Sequence, residues 1–401
     1  MKFAHIADCH IGSWRDPKLL ELSTRAFEKA VDECIKRDVK FILISGDLFN
    51  TALPGITQLK DVVVKLKELW ENQIPVYIIQ GSHDFSPSGK TMIDVLESAA
   101  LVKNVVKGEV KNNKLRLKFT KDLTGAKITG MLGKKGSLER TYYEDLDREH
   151  LESEQGFKIF MFHTALTELK SEELSKMESS PVSLLPKGFD YYAAGHVHEV
   201  IEEDMEGYGK IVYPGPLFPN NFREVEKLKH GGFYIYNEGS LEYVPMKLFS
   251  VKSFSIDCND LSAEQARAKA EEALTDVENM IVTLRLHGRL SSGRASEIGI
   301  GEIADKFYEK GAYFVMKNTS ALTAKDFEEV KVREDSIENI ENQLVQEHAG
   351  NFLEKDKEAQ LIHEFMRAFS QEIVEGERKA DYEDRIKDSA KRILEEHKIL
   401  E

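Results

Sequence analysis

The sequence is poor in cysteine, in tryptophan and in long apolar runs. Among its 401 residues are only three cysteines and two tryptophans, and Cys9, Cys34 and Cys258 form no spaced pair. An odd number of unspaced cysteines argues against a disulfide framework and is typical of a reducing, cytoplasmic compartment. No apolar stretch is long enough to span a bilayer. We expect no signal peptide, because the opening MKFAHIAD runs directly into a candidate metal motif.

An excess of positive charge is also missing. The chain carries 55 Lys and Arg against 70 Asp and Glu, a net charge of −15, and −9 of this falls on residues 334–401. Affinity for a phosphate backbone comes largely from Lys and Arg, and no basic stripe is visible in the sequence. Composition alone therefore does not indicate a nucleic-acid-binding protein.

Five short motifs bear carboxylate or imidazole groups directly after apolar runs. The motifs are Asp8-x-His10, Gly46-Asp47-x-x-Asn50, Gly81-Ser82-His83-Asp84, His163 and Gly195-His196-x-His198, and the runs span residues 2–7, 39–45, 76–80, 157–162 and 191–194. Runs this short and apolar predict strands of a covered, largely parallel sheet. Since sites of such proteins lie beyond the carboxyl ends of the strands, we expect these polar groups to meet.

The chemistry of the motifs indicates a dinuclear metal site. The candidate ligands are oxygen and nitrogen donors without a thiolate: Asp8, His10, Asp47, His163, His196 and His198. This donor set suits Mn²⁺, Fe or Zn²⁺. Two ions roughly 3.5–4 Å apart can clamp the attacking and leaving oxygens of a phosphoryl displacement. The sequence therefore predicts a phosphoesterase.

The motifs resemble those of a known family. HIADCHIG at 5–12, SGDLFN at 45–50, GSHD at 81–84, FMFHT at 160–164, AAGHVH at 193–198 and YPGP at 213–216 are similar to motifs of the calcineurin-like metallophosphoesterases. Their order and spacing resemble the Mre11/SbcD-type nucleases of DNA double-strand-break repair. The likeness spans about the first 220 residues.

This resemblance implies a role for each motif residue. One divalent ion would be held by Asp8, His10 and His198. The other would be held by His163 and His196, and Asp47 would bridge both. The family resemblance implies Mn²⁺ for both ions. His83 would stabilise or protonate the leaving oxygen, oriented by Asp84 in a carboxylate–imidazole pair.

Two positions depart from the family pattern. Ser82 stands where the family has an asparagine that ligates the second ion, and a neutral hydroxyl is a shorter and weaker ligand. We therefore expect the second ion to be held more loosely. Asn50 stands where relatives often carry a histidine with a secondary catalytic role. We do not expect Asn50 to fill that role.

Patterning along the chain predicts an α/β (α+β) protein in three parts. Residues 1–248 should form a two-layered β-sheet core flanked by helices, the dinuclear phosphoesterase domain. Residues 249–325 alternate strands and helices, as expected for the small α/β cap that selects DNA in the resembled nucleases. Residues 326–401 read as a linker and a C-terminal helical hairpin.

Candidate DNA contacts lie in the first and second parts. Arg285, Arg289 and Arg294 surround a predicted turn at 288–293, and Asn50 and Lys90 lie near the motifs. Exposed arginines that serve only solubility are an equally good interpretation for each of the three.

The third part has the pattern of a docking element. Leu361, Phe365, Phe369 and Ile373 recur every fourth residue, and Tyr382 and Ile386 belong to a second helical pattern. The resemblance implies that these helices bind a Rad50/SbcC-type ABC ATPase and that the protein is a homodimer. The alternatives are packing on its own catalytic domain or on a second copy.

Two other functions remain open at this stage. A dinuclear centre alone does not choose its substrate, so a metallophosphatase or phosphodiesterase acting on small-molecule or protein phosphoesters is one alternative. A non-catalytic scaffold that binds DNA and the ATPase is the other, favoured by Ser82.

Overall fold

A computed structural model describes residues 1–86, 89–134, 138–324, 345, 354–371, 379–397 and 399 of the chain. The chain divides into two compact units, Met1–Ala324 and Lys325–Glu401. Among the described residues, no helix is both long and apolar enough to cross a membrane.

Two six-stranded mixed sheets form the body of the first unit. The strands up to residue 246, in chain order, are β1 (Lys2–Ile6), β2 (Phe41–Ser45), β3 (Val76–Ile79), β4 (Lys103–Asn104), β5 (Gly108–Lys111), β6 (Lys114–Leu117), β7 (Thr120–Lys121), β8 (Lys127–Gly130), β9 (Lys158–His163), β10 (Tyr191–Gly195), β11 (Ile201–Asp204), β12 (Lys210–Tyr213), β13 (Gly231–Asn237) and β14 (Ser240–Met246). One sheet has the order β14-β13-β1-β2-β3-β4 and the other β11-β12-β10-β9-β8-β7, while β5 and β6 pair as a separate hairpin.

The parallel strands of each sheet bring their carboxyl ends to one edge. In the first sheet β1, β2 and β3 run parallel, and in the second β8, β9 and β10 do so. The predicted apolar runs correspond to these strands, with ends that differ by one or two residues. The expected two-layered sheet core flanked by helices is confirmed.

Side chains that alternate along the strands form two kinds of core. Phe3, Phe41 and Tyr77 of the first sheet pack against Ile159 and Tyr191 of the second in the layer between the sheets. The intervening residues of β1 and β2 point to the other face and contact helices. Because both faces are covered, the strands are apolar almost throughout.

Helices cover the outer faces, and their ends follow local capping rules. In chain order they are α1 (Pro17–Lys36), α2 (Ile56–Glu71), α3 (Met92–Ser98), α4 (Arg140–Glu144), α5 (Arg148–Glu152), α6 (Phe222–Leu228), α7 (Ala263–Glu272) and α8 (Ile300–Glu309). The side chain of Asp16 caps α1, and Pro17 follows at its first position. Single 3₁₀ turns lie at Thr167–Leu169, Glu172–Leu174, Val182–Leu184 and Ala295–Ile298.

The region predicted as a cap contains a third sheet with its own core. Its parallel strands are β15 (Ser250–Asp257), β16 (Met280–Leu290) and β17 (Phe314–Ala324), packed against α7 and α8. The turn predicted at 288–293 is wrong at its start, because β16 continues to Leu290 through an irregularity between Arg285 and His287. This region belongs to the first compact unit. The division of the chain at 248 and 325 stays a prediction.

The second unit contains two helices that pack on each other, α9 (Lys355–Phe369) and α10 (Lys379–Glu396). His397, directly after α10, has its Nε2 2.9 Å from a carboxylate oxygen of Glu364 in α9. The rings of Phe365 and Phe369 stack with centroids 5.5 Å apart. Ile373, part of the predicted apolar stripe, lies outside the described residues.

Candidate dinuclear metal centre

The loops that follow β1 and β2 are joined by main-chain hydrogen bonds at the sheet edge. The Asp8 amide donates to the Gly46 carbonyl at 3.2 Å, and the His10 amide donates to the Asp47 carbonyl at 2.9 Å. The second sheet is tied to the same place, since Ser45 Oγ donates to the Ala193 carbonyl at 3.0 Å. The polar residues after the strands of both sheets are therefore held in one cluster.

Gly46 is required by both its backbone and its surroundings. Its φ is +86°, a region that side chains rarely adopt, and a Cβ there would collide with the imidazole of His163. The absence of a side chain allows His163 Nδ1 to donate to the Ser45 carbonyl at 2.8 Å. That hydrogen bond directs Nε2 of the ring toward Asp47.

Several predicted ligands adopt the left-handed conformation without being glycine. The φ angles are 50° at Asp8, 42° at His10, 52° at Asp47 and 86° at His196. Such backbone conformations cost free energy, and they concentrate at sites where function requires them. The strain here coincides with the predicted ligand positions.

Donor atoms of these residues converge within a few ångströms. Asp8, His10 and His198 form one group whose ligand atoms all lie within 4.8 Å of one another, and Asp8, Asp47 and His163 form another. Nε2 of His10 lies 3.1 Å from Nε2 of His198. His196 is adjacent, because its amide donates to Asp8 and its ring centroid lies 5.2 Å from that of His163.

Burial sets the protonation of this cluster in the metal-free protein. Burial and the charge of Asp47 raise the pKa of Asp8 to about 6, and burial lowers the pKa values of His10 and His196 to about 3. Burial would also lower the pKa of His163, but the Asp47 carboxylate 3.1 Å away outweighs it and raises that pKa to about 10. Asp47 and His163 therefore form an ion pair, while His10 and His196 stay neutral.

These residues fit divalent metal ions. His10 and His198 bring two ring nitrogens to 3.1 Å from each other, where at most one proton can lie between them. Nε2 of His163 is buried and faces the Asp47 carboxylate at 3.1 Å. Neutral imidazoles and carboxylates crowded around the same space are the donors that Mn²⁺, Fe and Zn²⁺ accept.

The predicted partnership of His83 with Asp84 is wrong. His83 Nδ1 instead donates to the main-chain carbonyl of Asn50 at 2.9 Å. The Asp84 carboxylate instead accepts the amides of Leu48, Phe49 and Gly81, at 3.1–3.2 Å. Asp84 therefore stabilises the turns after β2 and β3, and Asn50 orients His83 through its backbone.

Ser82 lies within the cluster, as its place in the motif requires. Its side chain is 7% exposed, and its Oγ donates to Asp47 Oδ2 across 3.4 Å. The amide of His83 donates to the other oxygen of Asp47 at 2.7 Å. The turn after β3 thus fixes the carboxylate that lies nearest the middle of the site.

The sequence analysis did not identify Glu224 of α6. Its Oε1 lies 2.9 Å from His198 Nδ1, and its Oε2 accepts the Asn220 amide at 2.8 Å. A carboxylate in this position fixes the ring and leaves Nε2 free to ligate a metal. Nothing in the sequence distinguishes Glu224 from the many other acidic residues, because its role depends on where α6 lies.

A cavity of about 340 Å³ opens above the cluster. It is lined by His10, Asp47, Ser82, His83, Glu173, Leu174, Met177, His196, His198, Glu199, Asn221, Arg223, Glu224, Lys227 and Leu228. The predicted DNA contacts Lys90, Arg285, Arg289 and Arg294 are not among the lining residues.

Arg285 forms contacts within the protein and is not a free surface cation. Its guanidinium bonds Glu226 of α6, with Nη2 at 2.6 Å, and lies 4.9 Å from the centre of the Phe222 ring. This contact joins β16 to α6. Arg289 and Arg294 are exposed, as is Lys90.

Two buried carboxylates surrounded by imidazoles, below an open cavity and at the carboxyl edge of a two-sheet core, define a metal-dependent phosphoesterase. The family model described as calcineurin-like phosphoesterase matches residues 1–200. These residues are therefore a calcineurin-like phosphoesterase domain.

Several curated proteins are similar to the chain well beyond this domain. The DNA double-strand break repair protein Mre11 of Archaeoglobus fulgidus is 26% identical, over 84% of this chain and 77% of that protein. The protein of the same name from Methanopyrus kandleri is 29% identical, over 60% of this chain and 55% of its own length. Among solved structures, a dimetal phosphatase from Danio rerio has a TM-score of 0.40 at 11% identity, over 61% of this chain and 96% of that chain.

Replacing Glu224 with Gln tests its contact with His198. The neutral amide would hold the imidazole less firmly and make it a weaker ligand, so we expect Mn²⁺ affinity to fall by about 10- to 100-fold. Isothermal titration of the metal-free protein measures this change. Glu202→Gln, which removes the same charge from an exposed site on β11, should bind Mn²⁺ like the wild type. Equal affinities in all three proteins would contradict the role assigned to Glu224.

Proposed function

We propose that this protein is a metal-dependent DNA nuclease that hydrolyses phosphodiester bonds in double-strand-break repair. The observation that carries the proposal is the buried cluster of Asp8, Asp47 and imidazoles in a phosphoesterase domain, in a chain whose similarity to archaeal double-strand break repair proteins continues past that domain. Such a role would place the protein in the cytoplasm, at the nucleoid.

In this proposal one ion would be held by Asp8, His10 and His198, and the other by His163 and His196. Asp47 would bridge the two. The position of Asp47 supports the bridge, because its Oδ2 lies 3.6 Å from His10 Nε2 and 3.1 Å from His163 Nε2. Two bound divalent ions, which we expect to be Mn²⁺, would activate water near neutral pH and neutralise charge on the phosphoryl oxygens.

His83 is the proposed proton donor to the leaving oxygen. Its ring lines the cavity, and the Asn50 carbonyl holds the proton of Nδ1. Nε2 is then the nitrogen that can exchange a proton with a substrate in the cavity. Asp84 supports this arrangement indirectly, by holding the turn that carries His83.

His83→Ala should abolish most DNA hydrolysis while Mn²⁺ remains bound. The loss expected from removing a general acid is about 10²- to 10⁴-fold in rate. The assay compares blunt duplex DNA, single-stranded DNA and an aryl phosphate, with His150→Ala as the control, since His150 bonds Arg116 away from the cavity.

The same assay separates the alternatives. Wild-type activity on the aryl phosphate alone would favour a phosphatase or phosphodiesterase acting on small-molecule or protein phosphoesters. Bound metal without hydrolysis of any substrate would favour a non-catalytic scaffold. Full DNA hydrolysis by His83→Ala would contradict the role of this residue.

Ser82→Asn should tighten the weaker of two metal sites. An amide oxygen reaches farther than a hydroxyl and is a better neutral ligand, whereas Ser82 Oγ already donates to Asp47. We expect two unequal Mn²⁺ affinities in the wild type, and the weaker one should increase in the variant together with the rate at low Mn²⁺. Two equally tight ions in the wild type, with no change in Ser82→Asn, would refute the proposed effect.

The C-terminal helices are proposed to dock on a Rad50/SbcC-type ABC ATPase. Phe369 of α9 is 55% exposed and stacks on Phe365, while Leu361 and Phe365 are half-buried. Tyr382 and Ile386 of α10 are also half-buried. An aromatic group left exposed at the end of an apolar stripe is suited to a partner surface.

A homodimer is proposed through the first unit. Ile56 and Val64 are eight residues apart on α2 and share a face, with exposures of 86% and 54%. Leu53, in the preceding loop, is 78% exposed, and Val95 of α3 is 55% exposed. Large aliphatic side chains with these exposures are typical of an interaction surface.

Truncation after Lys331 tests both partner proposals. The shortened protein retains the compact unit Met1–Ala324, so it should keep metal-dependent nuclease activity and dimeric mass and lose binding to the ATPase. Light scattering and a pull-down with the purified ATPase measure these properties. Loss of the folded catalytic domain would favour self-packing of the helices, and a monomeric product would place the dimer contact in the removed segment.

A further inference from the structure

One carboxylate holds two cations together on the wall of the cavity. Glu173 Oε2 accepts hydrogen bonds from Arg223 Nη2 and from Lys227 Nζ, both at 2.9 Å. Arg223 and Lys227 are four residues apart on α6 and therefore share a face. Glu173 reaches them from the 3₁₀ turn Glu172–Leu174, some 50 residues earlier in the chain. We name these three residues the cation clamp.

The cation clamp lies beside the metal ligands. All three of its side chains line the same cavity as His83 and His198. The helix that carries its cations also carries Glu224, which bonds His198. The helix positions of the two cations are therefore fixed relative to the metal ligands, where a scissile phosphate would bind.

The ion pairs of the cation clamp are exposed enough to be broken by a competing anion. The side chains of Glu173, Arg223 and Lys227 are 48%, 66% and 46% exposed. Ion pairs between side chains exposed to this extent are screened by water and contribute little to stability. A phosphate oxygen in the place of Glu173 Oε2 would meet the same two donors, and an arginine with a lysine is a common pair of phosphate ligands.

The charges around the cation clamp distinguish nucleic acids from small phosphoesters. Lys227 also bonds Glu199 at 2.7 Å, so the two cations face two carboxylates and the wall is locally neutral. A small phosphoester has one phosphate, which the metal centre would occupy. A nucleic acid brings further phosphates on each side of the scissile one, and only these can reach the wall.

We propose that Arg223 and Lys227 bind a backbone phosphate next to the scissile phosphate of DNA, and that Glu173 occupies the place of that phosphate until DNA displaces it. This inference rests on the proposed nuclease function and assigns the residues that distinguish DNA from small phosphoesters. It also explains how an acidic chain can present cations to DNA at the site without a basic stripe.

Glu173→Gln is the test, with Glu172→Gln as the matched control. Both remove one negative charge from the same turn, and among the described residues no ion pair involves Glu172. With the Mn²⁺-loaded protein and short duplex DNA, Glu173→Gln should lower the KM several-fold while kcat changes little. The slope of log KM against log salt should stay near that of the wild type, because DNA displaces Glu173 there and the same phosphate contact forms in both proteins. Glu172→Gln should match the wild type.

The double variant Arg223→Gln/Lys227→Gln should change KM in the opposite direction. Adding Glu173→Gln to it should bring no gain, since the carboxylate then has no cation to cover. The ratio of kcat/KM for DNA to that for bis(p-nitrophenyl) phosphate should rise in Glu173→Gln and fall in the double variant. A general loss of folding would lower both rates and leave this ratio unchanged.

Equal KM values for Glu173→Gln and Glu172→Gln would overturn the proposal, as would the same gain in the triple variant. A different result identifies a failure of the underlying function. If the wild type cleaves the aryl diester but neither binds nor cleaves DNA, the nuclease assignment is wrong and the clamp's role in DNA binding is wrong with it.

Discussion

The architecture of the first unit depends on keeping two carboxylates, Asp8 and Asp47, buried at the junction of two sheets. Removing a carboxylate from water is costly unless opposite charge and hydrogen bonds compensate. In the metal-free protein the compensation is partial: Asp47 pairs with His163, and Asp8 accepts the amide of His196. Divalent cations would complete it, and they would displace the protons that hold the cluster together in their absence.

A polar contact within the otherwise apolar interface aligns the two sheets. His5 of β1 is fully buried, with Nε2 2.9 Å from Ser45 Oγ and Nδ1 3.0 Å from the Tyr191 hydroxyl of the opposite sheet. Burial lowers the pKa of His5 to about 3, so the ring stays neutral and can bridge without an unpaired charge. Packing of Phe3 against Tyr191 reinforces this alignment, which brings the loops of both sheets to the same edge.

Sequence patterns predicted the elements that local chemistry determines. Strands ended near the expected positions because each apolar run stops at glycine or at a polar motif, as Phe41–Ser45 does before Gly46. Side-chain partners were harder to predict, because they depend on how separate segments approach. Asp84 follows His83 directly yet bonds amides of the loop after β2, and Glu224 reaches His198 only because α6 lines the cavity. The link between Glu173 and α6 likewise has no local sequence signal.

One carboxylate, Asp47, is proposed to bridge two metal ions in a single site. Electron paramagnetic resonance of the metal-free protein titrated with Mn²⁺ tests it most directly, since ions that share a bridging carboxylate are magnetically coupled. At saturation we expect two Mn²⁺ per chain with a coupled spectrum, and Asp47→Asn should weaken both binding and coupling. A single bound ion, or two ions with independent spectra, would contradict it.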